Sequence, residues 1–353
     1  MAFSLVALGL TGDASDGAAL ILAMTVAQVA GAIPLTRWGR HWATARFLRA
    51  LVLVRTLALL LMTALASTGA PFAWLFVCAV VAGSVNGAAF GYLRSILNNL
   101  TPASRLPQAL GLSATLNELT FVLAPVASSG LGTLSPNYAL LALAVLGAAP
   151  ALLVPHVETA PVDSMPQADT SLLNPSITMW LLCAAAGSAT IASIEIGAVA
   201  MALAFGYPPA LAIVFTVPLC LASVAGGIWV SVRNRAASRR TVVGFLAVMT
   251  AGATLAACQW SLPSTIIGAV LAGLVLAPLA THYSLILDRL APSGKRAEVF
   301  ALLRTASAVG IIFASAVLTA TSLSATLAVV AVLMSAVTVI IAAVSLAHRD
   351  TAR

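Results

Sequence analysis

Charge is what this sequence lacks most. Asp, Glu, Lys and Arg make up 8% of its 353 residues, against about a quarter in an ordinary soluble domain. So few charges cannot cover a water-facing surface, which excludes a soluble enzyme, a soluble binding module and a disordered protein. Cysteine is scarce too, and Cys78, Cys183, Cys220 and Cys258 all lie inside apolar runs. They make neither a metal-ligand spacing nor a disulfide framework, and read as core packing. The sequence has no Gly-x-x-x-x-Gly-Lys-Ser/Thr loop, so it offers no ATP-hydrolysing site of that kind. No catalytic triad, metal cluster or cofactor motif is present, and neither enzyme activity nor a cofactor is expected. The alternation of a membrane β-barrel is missing as well.

What the sequence has in abundance is hydrocarbon: 61% of its residues are hydrophobic. Charge-free runs punctuated by Gly, Pro and Ser clusters divide it into membrane-spanning helices. These are expected at 17–36, 50–68, 71–94, 107–131, 137–156, 176–204, 208–231, 241–260, 263–288, 297–321 and 324–347. Residues 1–11 are apolar but too short to cross a bilayer, which needs ~17–25 residues. They lack the basic start and cleavage site of a signal peptide. They read as the outer part of a first helix that begins further upstream, giving twelve helices; an eleven-helix protein is the alternative.

The net charge of +7 would suit a nucleic-acid partner until the charges are placed. Of the 17 Lys and Arg residues, all but Arg55 and Arg304 fall in or beside alternate loops. This positive-inside pattern predicts an inner-membrane protein with both termini cytoplasmic once a complete first helix is counted, and no role in nucleic-acid binding. The six Trp residues fall near span ends, as in an aromatic belt. Residues 157–175 contain Pro161, Pro166 and Pro175 and read as a cytoplasmic linker between two helix bundles, 1–156 and 176–348, with a tail at 349–353.

The halves repeat. Ile-Leu-Asn-Asn-Leu-Thr-Pro at 96–102 aligns with Ile-Leu-Asp-Arg-Leu-Ala-Pro at 286–292, an offset of 190 that Leu112/Leu302, Thr115/Thr305 and Ala124/Ala314 continue. A second match aligns Ala32-Ile33 through Arg40 with Gly227-Ile228 through Arg235. Repeats of equal orientation point to a parallel two-fold about the membrane normal, an architecture of secondary transporters.

Carried on these residues, the chain resembles the major facilitator superfamily from residue 17 onward. Arg37, Gly39 and Arg40 match the family's motif between its second and third helices, with Thr36 standing at the usual acidic position. Ala124-Pro125 followed by Gly130 is similar to the family's antiporter motif, and residues 187–196 resemble a segment of bacterial efflux-type members. The resemblance implies an all-α fold of two six-helix bundles in pseudo-two-fold arrangement, here with the first helix truncated. It also implies alternating access, with the 37–40 motif at a cytoplasmic gate.

Ionisable groups inside spans are the prime candidates for function, because each is costly there unless paired or neutralised. They are Arg55, Glu118, Glu195 and Arg304. A buried carboxyl that takes up and releases a proton can couple transport to a proton gradient, so Glu118 and Glu195 are the proton-coupling candidates; the bland reading is a paired structural carboxylate. Arg55 and Arg304 read first as side chains snorkelling to the interface, and alternatively as anion-binding groups of a substrate cavity. Asn86, Asn117, His282 and Tyr283 are polar groups that either line the cavity or make buried interhelical hydrogen bonds. Arg94 and Asp288, near inner helix ends, are candidates for sealing the cytoplasmic gate. Gly83, Gly87 and Gly91 form a small-residue stripe for close helix packing, while Pro125, Pro218 and Pro278 are expected bending points.

The expected function is alternating-access transport of a small molecule, most readily proton-coupled efflux of a drug-like or neutral compound. A sugar or metabolite permease, or a non-transporting sensor or inactive paralogue, are the other readings. The expected partners are the substrate, protons and the lipid bilayer, and a monomer suffices.

Overall fold

The computed structural model describes residues 14–134, 136–154, 174–235, 237–292 and 294–350. The expected partial helix at 1–11 and almost all of the 157–175 linker lie outside these. Among the described residues the regular structure is all helical: α1 (Ala14–Trp38), α2 (Thr44–Ser67), α3 (Phe72–Leu100), α4 (Leu106–Leu134), α5 (Pro136–Leu153), α6 (Pro175–Ala204), α7 (Ile213–Arg233), α8 (Arg239–Cys258), α9 (Leu262–Leu290), α10 (Arg296–Ala320) and α11 (Leu323–Asp350), joined by short turns. Among the described residues, nine helices are long and apolar enough to cross a membrane.

Local chemistry sets the helix ends. Asn174 accepts a hydrogen bond from the Ser176 N–H ahead of Pro175, and Ser238 accepts one from the Thr241 N–H at the head of α8. Asn234 closes α7 in the left-handed region at φ 43°, a conformation asparagine tolerates. Three boundaries differ from the sequence reading. The α2 helix begins at Thr44, so Arg46 and Arg49 ride on its first turns rather than in a loop. Residues Pro209–Ala212 form a 3-10 turn before α7, because consecutive prolines at 208 and 209 delay the regular helix. The α3 helix runs on to Leu100, since its breaker is Pro102, and Arg94 therefore sits inside the helix.

The chain folds into two compact units, each with its own packing. The first holds α1, α2, α3 and α5, α4 from Phe121 onward, and α10 as far as Thr305. Here α1 and α2 pack on α3, and α2 packs on α5. Gly83 and Gly87 receive α1: a Cβ at Gly83 would overlap the Met24 carbonyl, and one at Gly87 would lie 2.9 Å from the Ala32 Cβ. Small residues at these two positions let the helix backbones approach closely. The second unit holds α6–α9, α4 up to Thr120, and the remainder of α10 with α11. Here α7 and α8 pack on α9, and α8 packs on α11. The same neighbour pattern recurs in both units, and the element ends follow the repeat. Phe72 and Leu262, Leu100 and Leu290, and Leu106 and Arg296 all stand 190 residues apart.

Of the cysteines, Cys78 and Cys183 are buried, Cys220 is half-buried and Cys258 is exposed. Packing inside the core therefore holds for two of the four. Trp38, Trp42, Trp74, Trp229 and Trp260 are exposed, as interfacial residues should be. Trp180 differs: it is engaged by the rings of His282 and Tyr283.

Candidate functional site

In the second unit, α4 and α6 carry the two span carboxylates. Glu118 is half-buried on α4, with the polar side chains of Asn117 and Ser223 within reach of its carboxyl. Glu195 lies about two-thirds of the way along the 30-residue helix α6. It is exposed, yet its neighbours Ser193, Ile194, Gly197 and Ala198 are all buried. The two carboxylates are near enough to interact electrostatically, and the Cys220 thiol lies within the field of both. Sequence reasoning does not single out Ser223 or Cys220 as partners of these groups. The only signal for them is that they stand on α7, a helix of the same unit.

The remaining polar candidates divide between the units. In the first, the Asn86 amide donates to Gln28 Oε1 at 2.5 Å, joining α3 to α1. Arg304, on the first part of α10, holds its guanidinium 5.6 Å from the Phe90 ring centroid. The Arg55 guanidinium faces Gly147 of α5, and its Nε has no hydrogen-bond partner among the described residues. The two arginines are within each other's electrostatic field. In the second unit, His282 sets its ring edge-on to Trp180 at 5.1 Å, and Tyr283 is buried, its hydroxyl unpartnered among the described residues. Asn117 is exposed beside Glu118. Pro278 lies inside α9 against Gly226 of α7, and Pro125 falls within α4. Arg94 is buried in the first unit and Asp288 half-buried in the second.

The 37–40 motif builds a second arrangement, in the first unit. Thr36 turns its hydroxyl back to the Ala32 and Ile33 carbonyls at 2.8 and 2.9 Å, so it supplies no charge. The acid comes instead from α10. Glu298 places Oε2 3.5 Å from Arg37 Nε and Oε1 3.2 Å from Arg40 Nε, with its side chain only 1% exposed. Around this clasp, Tyr92 donates to the Thr36 carbonyl at 2.9 Å and Arg296 donates to Asn99 Oδ1 at 3.3 Å. Gly91 leaves room for the Ala297 carbonyl, and Gly39 for the Phe47 ring and the Tyr92 hydroxyl. Glu298 does not stand out in the sequence because it lies at a helix start rather than mid-span. Its position in the first turn of α10 is the available signal.

The repeat has a counterpart in the second unit. Gln108 stands 190 residues before Glu298, and its backbone N–H donates to Asn234 Oδ1 at 3.0 Å while Asn234 Nδ2 donates to the Ser104 carbonyl at 2.9 Å. The end of α7 thus meets the start of α4 through neutral hydrogen bonds, where the end of α1 meets the start of α10 through an ion pair.

Comparisons with known proteins agree with this architecture. Among solved structures, a bacterial homologue of the iron transporter ferroportin in its outward-facing state superposes with a TM-score of 0.81 at 14% identity, covering 96% of this chain and 93% of that one. The human organic anion transporter MFSD10 (TETRAN) gives 0.74 at 13% identity, covering 96% and 88%. The E. coli fucose:proton symporter FucP gives 0.75 at 11%, covering 96% and 94%. At such identities the likeness establishes the fold. No curated protein sequence matches the chain. The sequence profile of the Major Facilitator Superfamily matches residues 1–315, and the chain, a multi-pass helical membrane protein, belongs to that superfamily of transporters.

Proposed function

We propose that this protein is a proton-coupled secondary transporter in which Glu118 and Glu195 carry the coupling proton. The observation that bears this reading is Glu195: an exposed carboxylate deep in an apolar helix, within the field of a second carboxylate. Facing lipid, such a group would be strongly unfavourable, so it belongs against a water-filled cavity. A proton on one member of the pair relieves their repulsion, and release of that proton when the cavity opens to the other side couples the gradient to conformation. The direction we assign is export of a drug-like or neutral compound in exchange for protons, from an inner membrane with the arginine-rich loops inside. In this scheme the Arg37–Glu298–Arg40 clasp is a cytoplasmic latch. It must open each time the inner side admits substrate.

A second reading, an anionic substrate, draws on Arg55 and Arg304. Two guanidinium groups in one unit, one with an Nε unpartnered among the described residues, are suited to a carboxylate or sulfonate.

The test is efflux of a fluorescent compound panel from cells lacking their own pumps, with wild type, Glu118→Gln and Glu195→Gln. Export that an uncoupler and at least one Gln variant both abolish supports the coupling assignment. Export untouched by both Gln changes overturns it. Loss confined to anionic compounds in Arg304→Gln would select the second reading.

A further inference from the structure

A cavity of about 200 Å³ lies among α7, α8 and α9 in the second unit, apart from the carboxylate pair. It is small for a drug-sized ligand, whose pockets run to about 300–1,000 Å³. Its polar lining is cationic and hydroxylic: Arg233, Arg235, Ser238, Thr241, Thr281 and His282. Ser238 and Thr241 belong to the first turn of α8, an end with surplus N–H groups and the positive pole of the helix. Thr281 is 3% exposed, and its hydroxyl has no hydrogen-bond partner among the described residues. A buried donor left idle in a cavity that two arginines also line calls for an acceptor.

The cavity does not end at its cationic mouth. Trp229 and Arg233 are shared with an adjoining apolar groove along α7 that Ala225, Ile228 and Val232 complete. Ile228 and Val232 are exposed, and the Arg233 guanidinium sits 5.1 Å above the Trp229 ring, fixed where groove and cavity meet. A hydrocarbon track leading to a small anion cradle has the outline of one molecule: a phospholipid, with its acyl chain along α7 and its phosphate among Arg233, Arg235 and Thr281.

We propose that the junction of α7, α8 and α9 is a specific site for an anionic phospholipid of the membrane. The shared chemistry is a phosphate oxyanion, and the apolar groove assigns it to a lipid rather than to free phosphate. Basic pockets between spans are suited to such headgroups, and binding here does not depend on which substrate the protein carries.

The test is native mass spectrometry of the detergent-purified protein titrated with dioleoylphosphatidylglycerol. The variants are Arg233→Gln/Arg235→Gln, Thr281→Val, and Arg105→Gln, which removes an exposed charge outside the cavity. One lipid of high affinity is expected on wild type and on Arg105→Gln. Its affinity should fall at least tenfold in the double variant and a few-fold in Thr281→Val, and millimolar inorganic phosphate should not displace it. Should the double variant fail to fold, Thr281→Val and Arg235→Gln singly carry the same comparison. Equal lipid affinity in wild type and the cavity variants overturns the proposal. Displacement by inorganic phosphate also overturns it, in favour of a soluble-anion site.

Discussion

Arg40 Nε lies 3.2 Å from Oε1 of Glu298, an acid whose side chain is 1% exposed while that of the arginine is 43% exposed. The carboxylate is thus desolvated and depends on its two partners, whereas the arginines retain water. Removing a partner from a buried ion pair costs about 3–5 kcal/mol, and an exposed pair contributes about 0–1. This mixed pair should fall between. Glu298→Ala is expected to lower thermal stability by several degrees, read by intrinsic fluorescence in detergent. Glu298→Gln keeps the side chain's shape and one oxygen acceptor for the two arginines and should cost less. Equal melting of wild type and both variants would show that the clasp contributes nothing to the stability of this state.

The fit of α1 against α3 predicts a steric cost. A Cβ at Gly83 overlaps backbone, which cannot move as a side-chain tip can. Overpacking typically costs about 1–3 kcal/mol. Gly83→Leu should therefore aggregate or melt markedly earlier than wild type on a fluorescence-detected sizing column. Gly244→Leu, where a Cβ would meet nothing within 4 Å, should behave as wild type.

Tyr92 offers a milder probe. Its hydroxyl donates to the Thr36 carbonyl and is buried with it. Tyr92→Phe leaves the ring contact with Phe47 in place, at 5.1 Å, and deletes one hydrogen bond. The expected loss is about 1 kcal/mol, seen as a small fall in melting temperature. An unchanged melting temperature would mean that the hydroxyl adds no net stability.

Sidedness can be read with thiols. Under the positive-inside assignment, a cysteine at Arg235→Cys reacts with an impermeant maleimide only after the membrane is opened, while one at Tyr207→Cys, in the loop before α7, reacts in intact cells. The experiment uses a background in which the exposed Cys258 is replaced by serine. Labelling of Arg235→Cys in intact cells would invert the topology.

The fold is readable because hydrophobic runs and turn chemistry are local. Leu100, followed by Thr101-Pro102, and Leu290, followed by Ala291-Pro292, end their helices in the same way, and the repeat shows in plain spelling. Glu118 and Glu195 are readable for another reason: a carboxylate in an apolar span stands out by its cost. Partnership is not readable. Thr36 looks like a missing acid, although the acid stands 262 residues away at Glu298. The pairing of Asn86 with Gln28 and of His282 with Trp180 likewise depends on helix rotation, which weakly amphipathic, Ala- and Leu-rich helices do not spell out.

The two compact units do not divide where the chain's own midpoint suggests. Residues 101–120 fold with α6–α9, and residues 291–305 fold with α1–α3. Cutting the chain at 157–175 would strip each fragment of a helix end that its partner fragment supplies. Neither fragment should then be a well-behaved protein alone, though co-expression can restore both by complementation. By the same logic, a chimera that grafts the front of this chain onto a relative must bring 291–305 along, or Arg37 and Arg40 will arrive without their counter-charge.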